Sequence, residues 1–211
     1  MENLSSSNLA YEIRDPQVLV SPIVFASPHS GRDYSNDFLK SSVLDGRTIR
    51  SSEDAHVDQL IDFIPEMGAP LLLAKAPRAF VDMNRAADEL DPALINDVQS
   101  RTQNPRITSG LGVIPRVVSN ARAIYRGKLS KQDALARIDQ YWTPYHRALQ
   151  RLLDRAHARF GYSLLMDMHS MPHDAVAHLG NSNKRIEVVL GDRYGSSADI
   201  ALGDLIEQAF E

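Results

Sequence analysis

The chain has 211 residues, with 27 Asp and Glu against 23 Lys and Arg, a formal charge of -4, 43% hydrophobic residues and no cysteine. Without cysteine there is no thiol nucleophile, thiolate metal cluster or disulfide scaffold, and a chain of this length buries roughly 70% of its unfolded surface without such staples. The mildly acidic balance argues against a nucleic-acid binder, no stretch approaches the about 20 apolar residues that span a bilayer, and the serine-rich start lacks the apolar core of a secretory signal, so a cytoplasmic single domain over residues 1–211 is expected.

Pro22 to Ser27 is a short apolar run rich in β-branched residues that ends in Pro28, His29, Ser30 and Gly31, which predicts a buried strand with polar residues at its carboxyl end. Asp54 to Met67 carries Val57, Leu60, Ile61 and Ile64 at helical spacing, broken at Pro65 and Gly68. Leu71 to Ala74 and Ala79 to Met83 read as further short strands. Asp88 to Tyr125 has no clear period and reads as a long excursion over the surface, the kind of loop that is often functional.

Ser130 and Asp133 resemble a capping box that opens a long helix. Ile138, Trp142, Tyr145, Leu149, Leu152, Ala156 and Phe160 mark its buried face, Pro144 predicts a kink, and Gly161 predicts its end. Tyr162 to Met166 reads as a strand leading into Asp167, Met168 and His169. Ile186 to Leu190 reads as another, ending at Asp192 and Arg193, and Ala198 to Phe210 reads as a helix. Strands alternating with helices imply an α/β sandwich, a sheet covered on both faces, in which ligands gather beyond the carboxyl ends of the strands.

The chemistry-bearing residues cluster at those predicted ends. His29 and His169 each follow an apolar strand, and Asp167, two residues before His169, shares its face in extended backbone, where it would orient the imidazole or bind metal itself. Glu53, Asp54, His56 and Asp58 form a third polar group, whose structural reading is acidic capping of a helix. A catalytic zinc takes about three His or carboxylate ligands and an open position; His29, a carboxylate from Glu53 or Asp54, and His169 would supply them. In the run Arg78 to Arg85, Asn84 and Arg85 suit a substrate carboxylate, and Arg78 suits a developing oxyanion. Their structural reading is pairing with Asp82 and Asp88. Arg116, Arg122 and Arg126 are further arginines of the same kind, and His146, His157, His173 and His178 are not first choices as ligands.

Five segments, Ser27 to Gly31 (SPHSG), Glu53 to Leu60 (EDAHVDQL), Arg78 to Arg85 (RAFVDMNR), Tyr141 to His146 (YWTPYH) and Asp167 to Ser170 (DMHS), resemble in their order the N-formylglutamate amidohydrolases. The resemblance implies a three-layer α/β sandwich with a mixed, mostly parallel sheet, phosphorylase/hydrolase-like and similar to zinc carboxypeptidases. It implies zinc-dependent hydrolysis of N-formyl-L-glutamate to formate and glutamate in histidine degradation, with zinc or another divalent metal on His29, Asp54 and His169. Glu53 is the rival carboxylate. Arg78 and Asp167 take catalytic roles; Asn84, Arg85 and Arg116 bind the substrate, a small N-acyl amino acid. The pattern also places a general-base glutamate in a further C-terminal portion. Glu207 and Glu211 do not match it, so the chain reads as short at that end and no residue is assigned as base.

Overall fold

A computed structural model describes residues 10–99, 104–176 and 186–210. The chain divides into two units, Met1–Ser170 and Met171–Glu211. In the first unit, in chain order, lie strand β1 (Tyr11–Arg14), strand β2 (Ile23–Ser27), helix α1 (Asn36–Ser41), the single helical turn α2 (Val57–Leu60) and strand β3 (Leu71–Ala74). There follow the short helix α3 (Pro105–Thr108), the two-residue strands β4 (Val117–Val118) and β5 (Arg122–Ala123), helices α4 (Lys131–Arg137) and α5 (Thr143–Phe160), and strand β6 (Leu164–Asp167).

The main sheet has the order β1-β3-β2-β6, with β3, β2 and β6 parallel and β1 antiparallel at one edge. The fold is therefore α/β with a mixed sheet whose central strands are parallel. The strand predicted at Pro22 to Ser27 forms as β2, and that at Tyr162 to Met166 forms as β6, shifted toward Asp167. Within β3 all four side chains are buried, and alternation sends them to opposite faces. Leu72 and Ala74 join Val24, Ala26, Tyr145, Ala148, Leu152 and Ala156 in the larger core, where α5 packs. Leu71 and Leu73 join Val57, Ile61, Ile64 and Phe25 on the other face.

Several predicted elements take a different form. Asp54 to Met67 is no single helix: after the turn α2 the chain passes into a 3-10 turn at Ile64–Met67, with Pro65 in its first turn and Gly68 left-handed at its end. Ala79 to Met83 is buried irregular backbone, because its apolar side chains reach the core from turns. The described part of Asp88 to Tyr125 has little regular structure beyond the short α3, β4 and β5, yet it is no surface excursion: Leu94, Ile95, Val113, Ile114 and Ile124 are all buried in the larger core. Aperiodic backbone hid that burial from a reading based on period.

The Ser130 cap forms as predicted, with Ser130 Oγ accepting from Asp133 N at 3.0 Å and donating to the Asp133 carboxylate at 2.6 Å. At Pro144 the chain uses a π-helical turn, Ile138–Trp142, which joins α4 to α5 and leaves proline in the first turn of α5, where its missing N–H costs little. Gly161 ends α5 in the left-handed region.

In the second unit, Ile186 to Leu190 is exposed and irregular, without a strand, so no strand end presents Asp192 and Arg193. The predicted C-terminal helix is α6 (Ile200–Gln208), capped by Asp199. His173 lies in a 3-10 turn of this unit, and His178 lies outside the described residues. Among the described residues no helix is long and apolar enough to cross a membrane.

Candidate functional site

His29 follows β2, His169 follows β6, and Asp54 precedes α2, so two parallel neighbouring strands deliver their histidines to one end of the sheet. One ligand atom from each of His29, Asp54 and His169 lies within 4.8 Å of the others, a spacing suited to a metal ion. Glu53, the rival carboxylate, instead pairs with Arg50 at 3.2 Å.

The two histidines are oriented alike. His29 Nε2 donates to Asp82 Oδ1 at 2.7 Å, which leaves Nδ1 as the lone-pair nitrogen. That Nδ1 is buried, has no hydrogen-bond partner and lies 3.5 Å from Asp54 Oδ2. His169 Nε2 donates to Asp167 Oδ2 at 3.1 Å, and its Nδ1 lies 2.8 Å from the same Asp54 oxygen. Each imidazole thus directs Nδ1 toward the shared carboxylate and rests its other nitrogen on a second carboxylate, the arrangement that metal-binding histidines adopt. The orphaned Nδ1 of His29 and the His-Asp-His donor set fit a divalent cation with nitrogen and oxygen preference, zinc among them.

The electrostatics agree. Burial opposes the charge on Asp54, but the hydrogen bond to His169 and the nearness of the His29 ring hold its carboxyl well below the usual range. Burial likewise opposes Asp82, and His29 and Arg78 hold it at about 2. His169 is raised to about 9 because Asp167 and Asp54 outweigh its burial. Two negative carboxylates around one imidazole are what a cation between the ligands would neutralise.

Asp82 holds more than His29. It accepts from Arg78 Nε at 3.0 Å and from the Asn84 backbone N–H at 2.8 Å, so the turn carrying Arg78 and Asn84 is fastened to His29 through one carboxylate. The Asn84 side-chain amide lies 3.1 Å from His169 Nε2. Arg78 and Asn84 therefore border the three-residue cluster. Arg85 spends Nε on the Leu111 carbonyl and Nη1 on the Asn84 carbonyl, and Trp142 Nε1 donates to the Arg85 carbonyl. Arg116 is tied to Asp91 at 2.8 Å and to the Thr108 carbonyl, within the irregular segment.

Sequence reasoning missed two participants. Among the arginines of its segment Asp82 has the simpler reading of an ion-pair partner, yet it is the carboxylate that sets the His29 ring. The second is Arg106 on α3. Burial lowers the Arg85 pKa against the opposing charge of Asp82, and Arg106 and Arg78 add to the lowering, so three guanidinium groups share one field. No periodic signal marked Arg106, which sits in a four-residue helix started by Asn104.

Comparison with known proteins gives this arrangement a context. The family model described as N-formylglutamate amidohydrolase matches residues 21–211. The N-formylglutamate deformylase of Pseudomonas aeruginosa is 31% identical over 188 residues, 88% of this chain, and that of Pseudomonas putida is 29% identical over the same length. The chain spans 65% and 64% of the length of these two curated relatives. A crystal structure of N-formylglutamate amidohydrolase from Ralstonia eutropha superposes with a TM-score of 0.84 at 35% identity, over 95% of this chain and 72% of that one. A gene product of Agrobacterium tumefaciens shares the fold at 13% identity, with a TM-score of 0.58 over 85% of this chain and 61% of its own. A family pattern that runs through residues 21–211 takes in His29, Asp54, Asp82 and His169 together, and the chain belongs to the N-formylglutamate amidohydrolase family.

Proposed function

We propose that this chain carries the metal-binding and substrate-binding machinery for hydrolysis of N-formyl-L-glutamate to formate and L-glutamate, a step of histidine degradation. The observation that carries the reading is the convergence of His29 Nδ1, Asp54 and His169 Nδ1, each histidine backed by its own carboxylate. His29, Asp54 and His169 are the ligands, with zinc the metal of choice. When bound there, zinc supplies Lewis acidity toward an amide carbonyl and toward water.

The chain's own residues then have distinct tasks. Asp82 and Asp167 hold the ligand rings, so the catalytic contribution of Asp167 is exerted through His169. Arg78 reaches Asp82 with Nε, and its terminal nitrogens are the donors for the oxygen that gains charge as the amide is attacked. Asn84, Arg85 through Nη2 and Arg116 through Nη1 are the donors for the two carboxylates of the glutamyl group, with the Arg106 charge adding to the field. Ligands at the carboxyl ends of parallel strands also favour the phosphorylase/hydrolase-like, zinc-carboxypeptidase-like kinship of the fold.

Metal analysis combined with formate release tests the reading. The purified protein should hold close to one zinc per chain, lose it to a chelator, and release formate from N-formylglutamate only when reloaded. Faster turnover of N-acetylglutamate or N-formylaspartate would overturn the substrate assignment, and metal-independent turnover would overturn the reaction class.

A further inference from the structure

Two of the three proposed ligands, His29 and Asp54, lie on neighbouring loops. The first runs from His29 to Asp33 after β2, and the second runs from Asp54 to Asp58 into α2. Their backbones meet where Asp54 N–H donates to the His29 carbonyl at 3.1 Å. Three residues beyond His29 and four beyond Asp54 they meet again: Arg32 Nη2 donates to Asp58 Oδ2 at 2.6 Å. The Asp58 side chain is 13% exposed and that of Arg32 37%, so the carboxylate end of the pair is the shielded one.

The loops differ in how they are held. The first is pinned by Gly31, whose α-carbon sits where an added Cβ would meet the Ala76 carbonyl oxygen at 2.2 Å, and by Asp33 N–H donating to the Lys75 carbonyl. The second is held by Val57, buried against Leu71 and Leu73 in the smaller core, and it bends through His56 at φ 67, a left-handed conformation that a residue with a side chain adopts only when its surroundings hold it there. The backbone bond from Asp54 and the buried Val57 hold the main chain of this loop, and the Arg32–Asp58 pair is the side-chain tie that joins it directly to the His29 loop.

We infer that Arg32 and Asp58 form a positioning clamp that holds the Asp54 loop against the pinned His29 loop and so sets the affinity and geometry of the metal site. The inference rests on the metal reading of His29, Asp54 and His169. Neither residue touches the metal or the substrate; each acts through a ligand on its own loop.

The test is a double-mutant cycle with Arg32→Gln, Asp58→Asn and the combined variant, read as zinc affinity by chelator competition and as the visible spectrum of the protein loaded with Co2+. Each single variant should bind zinc ~10–100-fold more weakly, the range seen when partners of metal ligands are removed, and should alter the cobalt spectrum. The combined variant should lose no more than the weaker single variant, because one interaction is removed in all three. Arg32→Lys, which keeps the charge and folds with least disturbance, should recover part of the affinity, whereas Arg14→Gln, at the exposed Arg14 and Glu12 pair, should leave affinity and spectrum unchanged. Wild-type affinity and spectrum in both single variants, or losses that simply add in the combined one, would overturn the clamp. A wild-type protein that takes up neither zinc nor cobalt would instead refute the metal site beneath it.

Discussion

A histidine can serve a metal with only one nitrogen at a time, and what the other nitrogen does decides how well. Asp82 takes up the second nitrogen of His29 while itself buried and fastened to Arg78 and Asn84. On the proposed metal reading, Asp82→Asn should leave His29, Asp54 and His169 in place yet weaken zinc binding ~10–100-fold, measured by chelator competition; unchanged affinity would remove Asp82 from the site. His146 shows the opposite use of a ring nitrogen. It is half-buried, stacks on Trp142 at 3.7 Å, donates Nδ1–H to the Trp142 carbonyl, and has its pKa lowered by burial despite those bonds and the Asp167 charge. As pH falls below about 6.5 the unfolded chain takes up this proton first, so stability falls from there down to the folded pKa and is unaffected by this group at higher pH. His146→Gln should remove that part of the acid sensitivity in denaturant titrations at about pH 7.5 and about pH 5; equal loss in both proteins would disprove it. The residues of the cluster were legible because His29 and His169 each end an apolar run. Asp82 was not, since a carboxylate among arginines has a simpler explanation until the fold brings His29 beside it.

Among the elements, the turn after β2 sets the closest tolerance. Gly31 packs against the Ala76 and Lys75 carbonyls, which belong to backbone and cannot move aside as a flexible side chain would. Gly31→Ala should cost ~1–3 kcal/mol, the range for overpacking, and a denaturation midpoint equal to wild type would contradict it. Gly127→Ala is the matched control, because nothing lies within 4 Å of the added Cβ. Periodicity read β2, β3, β6 and α5 because each has one regular pattern facing a core. It failed where regular hydrogen bonding is replaced by turns: Ala79 to Met83 and the stretch around Val113 and Ile114 bury apolar side chains from backbone with no period. At Pro144, proline forbids one hydrogen bond of an ordinary helix interior, and the π turn at Ile138–Trp142 shifts the pairing so that proline falls in the first turn of α5.

At the scale of the first unit, the mixed sheet separates two apolar cores and β3 belongs to both. Leu72 and Leu73 are neighbours in sequence but face opposite cores, at 0% and 4% exposure. Truncation of either to Ala should cost ~2–5 kcal/mol, seen as a shift of the whole unfolding curve by the same amount in probes of each face. Separate transitions for the two faces would contradict it. The α/β class was legible from the alternation of strands and helices, but the strand predicted at Ile186 to Leu190 did not form, and β1 went unpredicted. β1 alternates little and gains its place only by pairing with β3 from far along the chain. The shared ownership of β3 reaches further than packing. A strand that feeds two cores cannot be released from one without unravelling the other, so its amide protons are shielded from solvent exchange until the unit unfolds as a whole. The slowest-exchanging hydrogens should then lie in β3, whose side chains Leu71 and Leu73 pack with Val57 and whose following residues Lys75 and Ala76 meet the His29 loop, and the site would inherit its rigidity from the slowest-opening part of the fold.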